Sequence, residues 1–409
     1  MGCVEVNKTD SQPPNIVLFF VDDMGWQDTS LPFWDQLTDF NKIYKTPHME
    51  RLAKKGVKFT NAYATPVCSP TRVSLMTGMN AARHRVTNWT LKPDQKQPME
   101  LNHPSLEFPD WNYNGIGLDP STANTAFAKP LPQLLSDNGY YTIHAGKAHF
   151  GAIGYPSSNP LNLGFKVNIA GHAAGAPESY LGRENFGNGK IGKEVWAVPG
   201  LEKYHGQDLF LTEALTQEVL TALDKPILDK QPFFIYFALY GLHTPLMAND
   251  RLVEPYRKMG LEEPEARYAS MIESMDEALG NVLNYLEEND QEDNTVILFM
   301  SDNGGLSAVA RGGEKHTHNL PLKSGKGSIY EGGIRVPMLA YWPGKTQEET
   351  VNSTPLIIED FFPTILEIAQ IEASEIPQTV DGKSFVSLLR NVTTEFTDRP
   401  LFWHYPNEW

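Results

Sequence analysis

The chain of 409 residues is 41% hydrophobic and 21% charged, which supplies a sizeable core and excludes a disordered polypeptide. Its formal net charge of −16 argues against nucleic acid as a partner, because a phosphate backbone needs a basic face. Any anionic substrate has to be drawn into a local basic pocket against the field of the whole protein, and no apolar run reaches the length of a membrane span.

The chain opens Met1-Gly2-Cys3 and stays polar as far as Pro14. That start is similar to the processed end of a bacterial lipoprotein, with Cys3 as a lipid anchor and a place in the bacterial periplasm or on the cell surface. It reads equally well as a stray cysteine on a tail. With only Cys3 and Cys68 there is no disulfide framework. Asn15 to Val21 is a short continuous apolar run, as expected of a strand buried on both faces. Thr46 to Gly56 predicts a helix between a Thr-Pro start and a glycine stop, and Val57 to Thr60 the next strand. A loop-like stretch runs from Leu91 to Ala128. Beyond it come a helix over Leu131 to Asn138 and a strand over Tyr140 to Ala145. A helix over Leu209 to Leu223 precedes the apolar strand Phe233 to Leu239. Tyr268 to Glu288 places Met271, Met275, Leu279 and Val282 at helical spacing. Strands over Thr295 to Met300 and Val336 to Tyr341 and a helix over Ile357 to Ile368 complete the series.

This alternation predicts an α/β sandwich with a central, mostly parallel sheet flanked by helices. No repeat or linker divides it. Residues 1–14 read as a flexible tether, 15–395 as one large domain, and 396–409 as the start of an incomplete C-terminal subdomain.

Two strands end in acidic residues: Asp22-Asp23 after the first and Asp302-Asn303 after Thr295 to Met300. Open α/β sheets bind ligands beyond the carboxyl ends of their strands, so the two clusters should meet at one edge. Adjacent carboxylates are costly to bury unless a cation neutralises them. Three carboxylates and an amide form a hard, all-oxygen set that suits Ca²⁺ or Mg²⁺ and not Zn²⁺. The plainer alternative is that both are polar turns after strands.

The most specific segment is Thr65-Pro-Val-Cys-Ser-Pro-Thr-Arg-Val-Ser-Leu-Met-Thr-Gly78. Pro70 is placed to start a helix with Cys68 just before it, so unpaired N–H groups point at any anion near Cys68. Cys68, Pro70, Arg72, Thr77 and Gly78 stand at the spacing of Cys-x-Pro-x-Arg followed by Leu-x-Thr-Gly. Together with Gly146-Lys-Ala-His149, His243-Thr-Pro245, Ser301-Asp-Asn-Gly-Gly305 and Gly325 to Gly333, the chain resembles the type I sulfatases of the alkaline phosphatase superfamily.

That resemblance implies an alkaline-phosphatase-like fold and a metal-dependent sulfuric ester hydrolase. It implies that a maturation enzyme oxidises Cys68 to formylglycine, whose hydrate binds the metal through one acidified oxygen and attacks sulfur. Asp22, Asp23, Cys68, Asp302 and Asn303 would hold the cation, with Ca²⁺ favoured over Mg²⁺. Arg72 and Lys147 would brace the nucleophile, and His149 would take its proton when sulfate is expelled. His243 and Lys326 would hold the sulfate, with His243 as general acid. Ala148 stands where the family often carries a bulky aromatic, which implies a wider pocket. Glu331 to Arg335 is expected to support the fold, while His144, His205, His316 and His318 have no assigned role.

Trp111, Asn112, Tyr113 and Asn114, with Trp89 before them, offer aromatic faces and amides that suit a sugar ring. They equally suit a loop tucked back on its own domain. The expected substrate is a sulfated glycan, cut at a terminal galactose or N-acetylhexosamine because the acidic surface repels long polyanions. The alternatives are a phosphodiester or phosphonate monoester hydrolase of the same superfamily and a non-catalytic sulfoglycan-binding relative. The complete motif set argues against the second.

Overall fold

The computed structural model describes residues 12–96, 104, 105, 107–306, 308–312, 318–372, 376–391, 396 and 398–406. Cys3 and His316 lie outside them. The strands, in chain order, are β1 (Asn15–Val21), β2 (Val57–Tyr63), β3 (Ile116–Gly117), β4 (Ala126–Phe127), β5 (Tyr141–Gly146), β6 (Val167–Ile169), β7 (Phe233–Leu239), β8 (Thr295–Ser301), β9 (Arg335–Tyr341), β10 (Thr350–Asn352) and β11 (Leu356–Ile357).

Nine of these form one sheet in the order β10-β2-β9-β8-β1-β7-β5-β6, with β11 also on β2, while β3 and β4 pair separately. Only β9 runs antiparallel to its neighbours, so the sheet is mostly parallel. β1 sits between β7 and β8, and every residue of it is buried. Its period of two divides the core: Val17, Phe19 and Val21 face one side, and Ile16, Leu18 and Phe20 the other. The first side is covered by the helices Leu211–Leu228 and Glu263–Glu288, the second by Cys68–Thr77, Leu131–Asp137 and Phe361–Ile368. Burial on both faces is why the strand carries no polar alternation.

The elements differ from the sequence expectation where tertiary contacts set the ends. The helix expected over Ile357 to Ile368 divides: Leu356–Ile357 pairs with β2, Ile358–Asp360 forms a 3₁₀ turn, and the α-helix spans Phe361–Ile368. The loop-like stretch after Leu91 contains the β3–β4 pair. Asp39–Ile43 and Val253–Lys258 are short helices without a periodic signal.

The described residues 398–406 do not stand apart as a second unit. Trp403 packs edge-on against Tyr63, with ring centroids 5.3 Å apart, and its Nε1–H donates to the Ala64 carbonyl. Arg399 pairs with buried Asp360.

Candidate active site

β1 and β8 are neighbouring parallel strands in register, Val21 beside Ser301. Their ends therefore bring Asp22, Asp23, Asp302 and Asn303 to one place at the carboxyl edge, and all four are fully buried. The Asp23 N–H donates to Asp302 Oδ1 at 3.2 Å, and Asn303 Nδ2 donates to Asp23 Oδ1 at 2.8 Å. Three cations answer the three carboxylates. Lys147 lies 2.6 Å from Asp22 Oδ2, Lys326 lies 2.7 Å from Asp23 Oδ1, and Arg72 donates through Nε and Nη2 to Asp302 Oδ2 at 3.1 and 2.8 Å.

The compensation is incomplete in a telling way. Burial and the adjacent Asp302 push the Asp22 carboxyl well above its ordinary range despite Lys147. Burial acts on Asp23 and Asp302 in the same sense, but Lys326 and His243 outweigh it at Asp23, and Arg72 and Lys147 at Asp302, so both sit lower than usual. Asp22 Oδ1 and Asn303 Oδ1 are buried oxygens without a hydrogen-bond partner among the described residues. Such orphaned acceptors are what a hard cation satisfies. Asp22, Cys68 and Asp302 each offer a donor atom, all within 4.8 Å of one another. The residues fit a divalent cation. Asp23 stands outside that trio, its carboxylate engaged by Lys326 and Asn303.

Cys68 is the first residue of the helix Cys68–Thr77, not the residue before it as the sequence implied, and Val67 is the cap. Among the described residues no side chain caps this end, so its N–H groups remain available to an anion. Burial pushes the Cys68 thiol up, against the pull of Lys147 and Lys326. A plain cysteine here stays protonated and is a poor nucleophile.

Two histidines flank the position. His149 Nε2 faces the Thr90 carbonyl at 2.7 Å, so that nitrogen carries the proton and Nδ1, buried and without a hydrogen-bond partner among the described residues, is left as an acceptor. His243 Nδ1 faces the Thr244 carbonyl at 2.8 Å, which leaves Nε2 3.8 Å from Asp23 Oδ2. Burial, followed by Lys147 and Arg72, holds His149 well below the usual imidazole range. Burial, followed by Lys326, lowers His243 to about 3.

A cavity of about 580 Å³ opens over these groups. Cys68, His149, His243 and Lys326 form its floor, and Trp89, Glu178, Lys193 and Trp196 stand among the residues of its wall. Arg72 and Lys147 do not reach it; they lie beneath, fully buried, against the carboxylates. Arg72 is further fixed by the Lys147 carbonyl at 2.9 Å and the Tyr236 hydroxyl at 3.0 Å.

The expected sugar wall at Trp111 to Asn114 is corrected. None of the four lines this cavity. Asn114 is fully buried, donating to Asp94 and Tyr155, Asn112 donates to the His84 carbonyl, and Trp111 and Tyr113 both lie against Phe108. The loop is tucked back on itself, so its polar groups are spent internally. Ala148 is likewise core, with no exposure, and does not line the cavity. His144 is a core histidine among Phe150, Phe165 and Tyr236, hydrogen-bonded to Asn168. His205 packs on Phe186, and His318 sits 4.0 Å from Glu265. Glu331 to Arg335 supports the fold: Gly332 packs under Gly304, and Arg335 covers Trp26. Sequence reasoning missed Trp196, Glu178 and Lys193, which no motif marks and only folding brings to the cavity.

A doubly covered α/β sheet with buried carboxylates, cations and a helix-borne nucleophile position at its carboxyl edge defines a hydrolase of anionic esters. The chain belongs to the sulfatase family, whose description "Sulfatase" it matches over residues 14–371; it is an enzyme that hydrolyses sulfate esters, and the family generally uses a metal ion and formylglycine. A "Sulfatase" from Formosa agariphila is 28% identical over 98% of this chain and 77% of its own. The N-acetylgalactosamine-6-sulfatase of Homo sapiens is 29% identical over 96% of this chain and 68% of its own. Among solved structures, Ps i-CgsB superimposes with a TM-score of 0.74 at 30% identity, covering 93% of this chain and 77% of its own. The same protein has been solved with a neocarrahexaose, a carbohydrate ligand.

Proposed function

We propose that this sulfatase removes sulfate from a sulfated carbohydrate, with residue 68 converted by a maturation enzyme to formylglycine and a calcium ion at Asp22, Asp23, Asp302 and Asn303. The observation that carries the reading is the convergence of Asp22, Cys68 and Asp302 within 4.8 Å beneath a cavity floored by His149, His243 and Lys326. The sulfated-carbohydrate relatives named above support the substrate class.

When bound, the cation supplies Lewis acidity at residue 68 and neutralises the carboxylates, and the formylglycine hydrate supplies an oxygen nucleophile in place of the thiol. The oxygen-rich donor set suits Ca²⁺, which tolerates irregular geometry, better than Mg²⁺. The chain's own residues do the rest. Lys326 and His243 receive the sulfate. The anionic ester raises His243 from its low value, so that Nε2 gains a proton to give to the departing alcohol. His149 Nδ1, the free acceptor, takes a proton from residue 68. Arg72 and Lys147 hold the carboxylates from below, so their oxygens cost no reorganisation during the reaction.

The direct test is free sulfate measured over a panel of monosulfated galactose and N-acetylhexosamine glycans, with a phosphodiester and a phosphonate monoester in parallel. Sulfate from terminal residues is the expected product; turnover confined to the phosphorus esters, or loss from internal positions without preference for ends, overturns the corresponding part. Anchorage through Cys3 at the bacterial periplasm or surface belongs to the same proposal, resting on the polar stretch from Val4 to Pro14.

Two expected outcomes follow from the geometry. Removing divalent ions with a chelator should abolish sulfate release, and Ca²⁺ should restore it more fully than Mg²⁺. His243→Ala should lower kcat on a sugar sulfate by about 10²–10⁴-fold. The loss on p-nitrophenyl sulfate should be much smaller, because a phenolate leaves without a proton. Equal losses on both substrates would remove His243 as the acid.

A further inference from the structure

The cavity wall carries information that the catalytic floor does not. Thr90 ties two parts of the floor together: its N–H donates to Ser69 Oγ at 3.1 Å, and its carbonyl accepts from His149 Nε2. Trp89, immediately before it, is therefore fixed at the edge of the nucleophile and keeps 36% of its surface open. On the other side, a Cβ on Gly175 would stand 2.4 Å from the His149 ring, so the backbone must pass close there. Three residues on, the Glu178 N–H donates to the Trp196 carbonyl at 2.8 Å, which ties together the backbones of two residues that both line the cavity.

Glu178 is unusual for a site that receives an anion. Its side chain is 20% exposed and its carboxylate lies 3.9 Å from Lys193 and 3.7 Å from Lys190, whose side chains are 55% and 41% exposed. Both are ion pairs and neither is a tight hydrogen bond; among the described residues, the side chain makes no hydrogen bond. Lys193 lines the cavity and Lys190 does not. Glu178 and Lys193 therefore both line the cavity, and the Glu178 side chain is the least exposed of the three. An acceptor next to a donor, in a wall that also holds Trp89 and Trp196, matches a sugar hydroxyl, which donates to one and accepts from the other while its ring stacks on an indole. A second sulfate or a uronate at that place would meet Glu178 as a like charge in a partly desolvated wall.

We propose that Glu178 is a specificity-determining residue: with Lys193, Trp89 and Trp196 it recognises a sugar that carries the scissile sulfate and is otherwise uncharged where it faces this wall. The proposal rests on the carbohydrate reading above and narrows it to monosulfated neutral sugars.

Binding separates the two. In a Cys68→Ala background, calorimetry is run with the 4- and 6-sulfates of galactose and N-acetylgalactosamine and with their disulfated counterparts. The tightest monosulfate should bind at least tenfold more tightly than its disulfated counterpart. Adding Glu178→Gln, which keeps shape and removes charge, should narrow that ratio to within about threefold, and adding Trp196→Ala should weaken both ligands. Equal or tighter binding of the disulfated sugars, no change of the ratio on Glu178→Gln, or no binding of any monosulfate would overturn the assignment. If the expected binding pattern is met but the matured protein releases no sulfate from the same sugars, the catalytic reading fails while the wall stands.

Discussion

Cys68→Ala should reduce sulfate release by about 10⁴-fold or more, the scale seen when a covalent nucleophile is removed, while a sulfated sugar still binds. The side chain lines the cavity at the first position of its helix, and truncating it removes none of His149, His243 and Lys326, which line the cavity with it. The loss should appear in kcat with little change in the dissociation constant. A variant that retained a tenth of the wild-type rate would show that residue 68 does not supply the nucleophile. Protein made in a host without the maturation enzyme should behave like this variant, because burial keeps the unmodified thiol protonated.

Arg72→Met should destabilise the fold by about 3–5 kcal/mol, the cost of leaving a buried charge without its partner. The guanidinium has no exposure, donates twice to Asp302 Oδ2, and satisfies the Lys147 carbonyl and the Tyr236 hydroxyl. It also lies 5.4 Å from the centre of the Phe20 ring. Methionine fills part of the volume but leaves Asp302, beside Asp22, without its two guanidinium hydrogen bonds and with Lys147 only at 4.0 Å. Chemical denaturation should show the lower midpoint, and added Ca²⁺ should recover part of it, since the cation would take over some of the neutralisation. Unchanged stability would mean that the carboxylates are protonated and need no counter-charge.

β1, β7 and β8 were legible in the sequence because strands buried on both faces must be apolar throughout, and such runs are short and bounded. The site floor was legible for a different reason: Asp22, Asp23, Asp302 and Asn303 follow strand ends directly, and Cys68 and Arg72 share one helix. Chemistry confined to a few adjacent positions leaves a local pattern. The wall leaves none. Glu178, Lys193 and Trp196 come from a stretch of 3₁₀ turns and loops without periodicity, and they meet through the Glu178 N–H to Trp196 carbonyl bond and the Lys193–Glu178 pair. Trp111 to Asn114 shows the converse failure, since aromatic rings and amides have the same composition whether they face a sugar or each other. Asn114 is held by Asp94 and Tyr155, contacts that depend on the fold of that loop. The division of Leu356 to Ile368 into a strand pair, a 3₁₀ turn and a helix was not legible, because the pairing of Leu356–Ile357 with β2 overrides helical periodicity there.

The most direct measurement takes several preparations with different extents of maturation, determines by mass spectrometry the fraction of residue 68 present as formylglycine, and measures sulfate release per mole from a monosulfated glycan in the presence of Ca²⁺. A straight line through the origin is the predicted result. Full activity from protein that carries only unmodified Cys68 would contradict it.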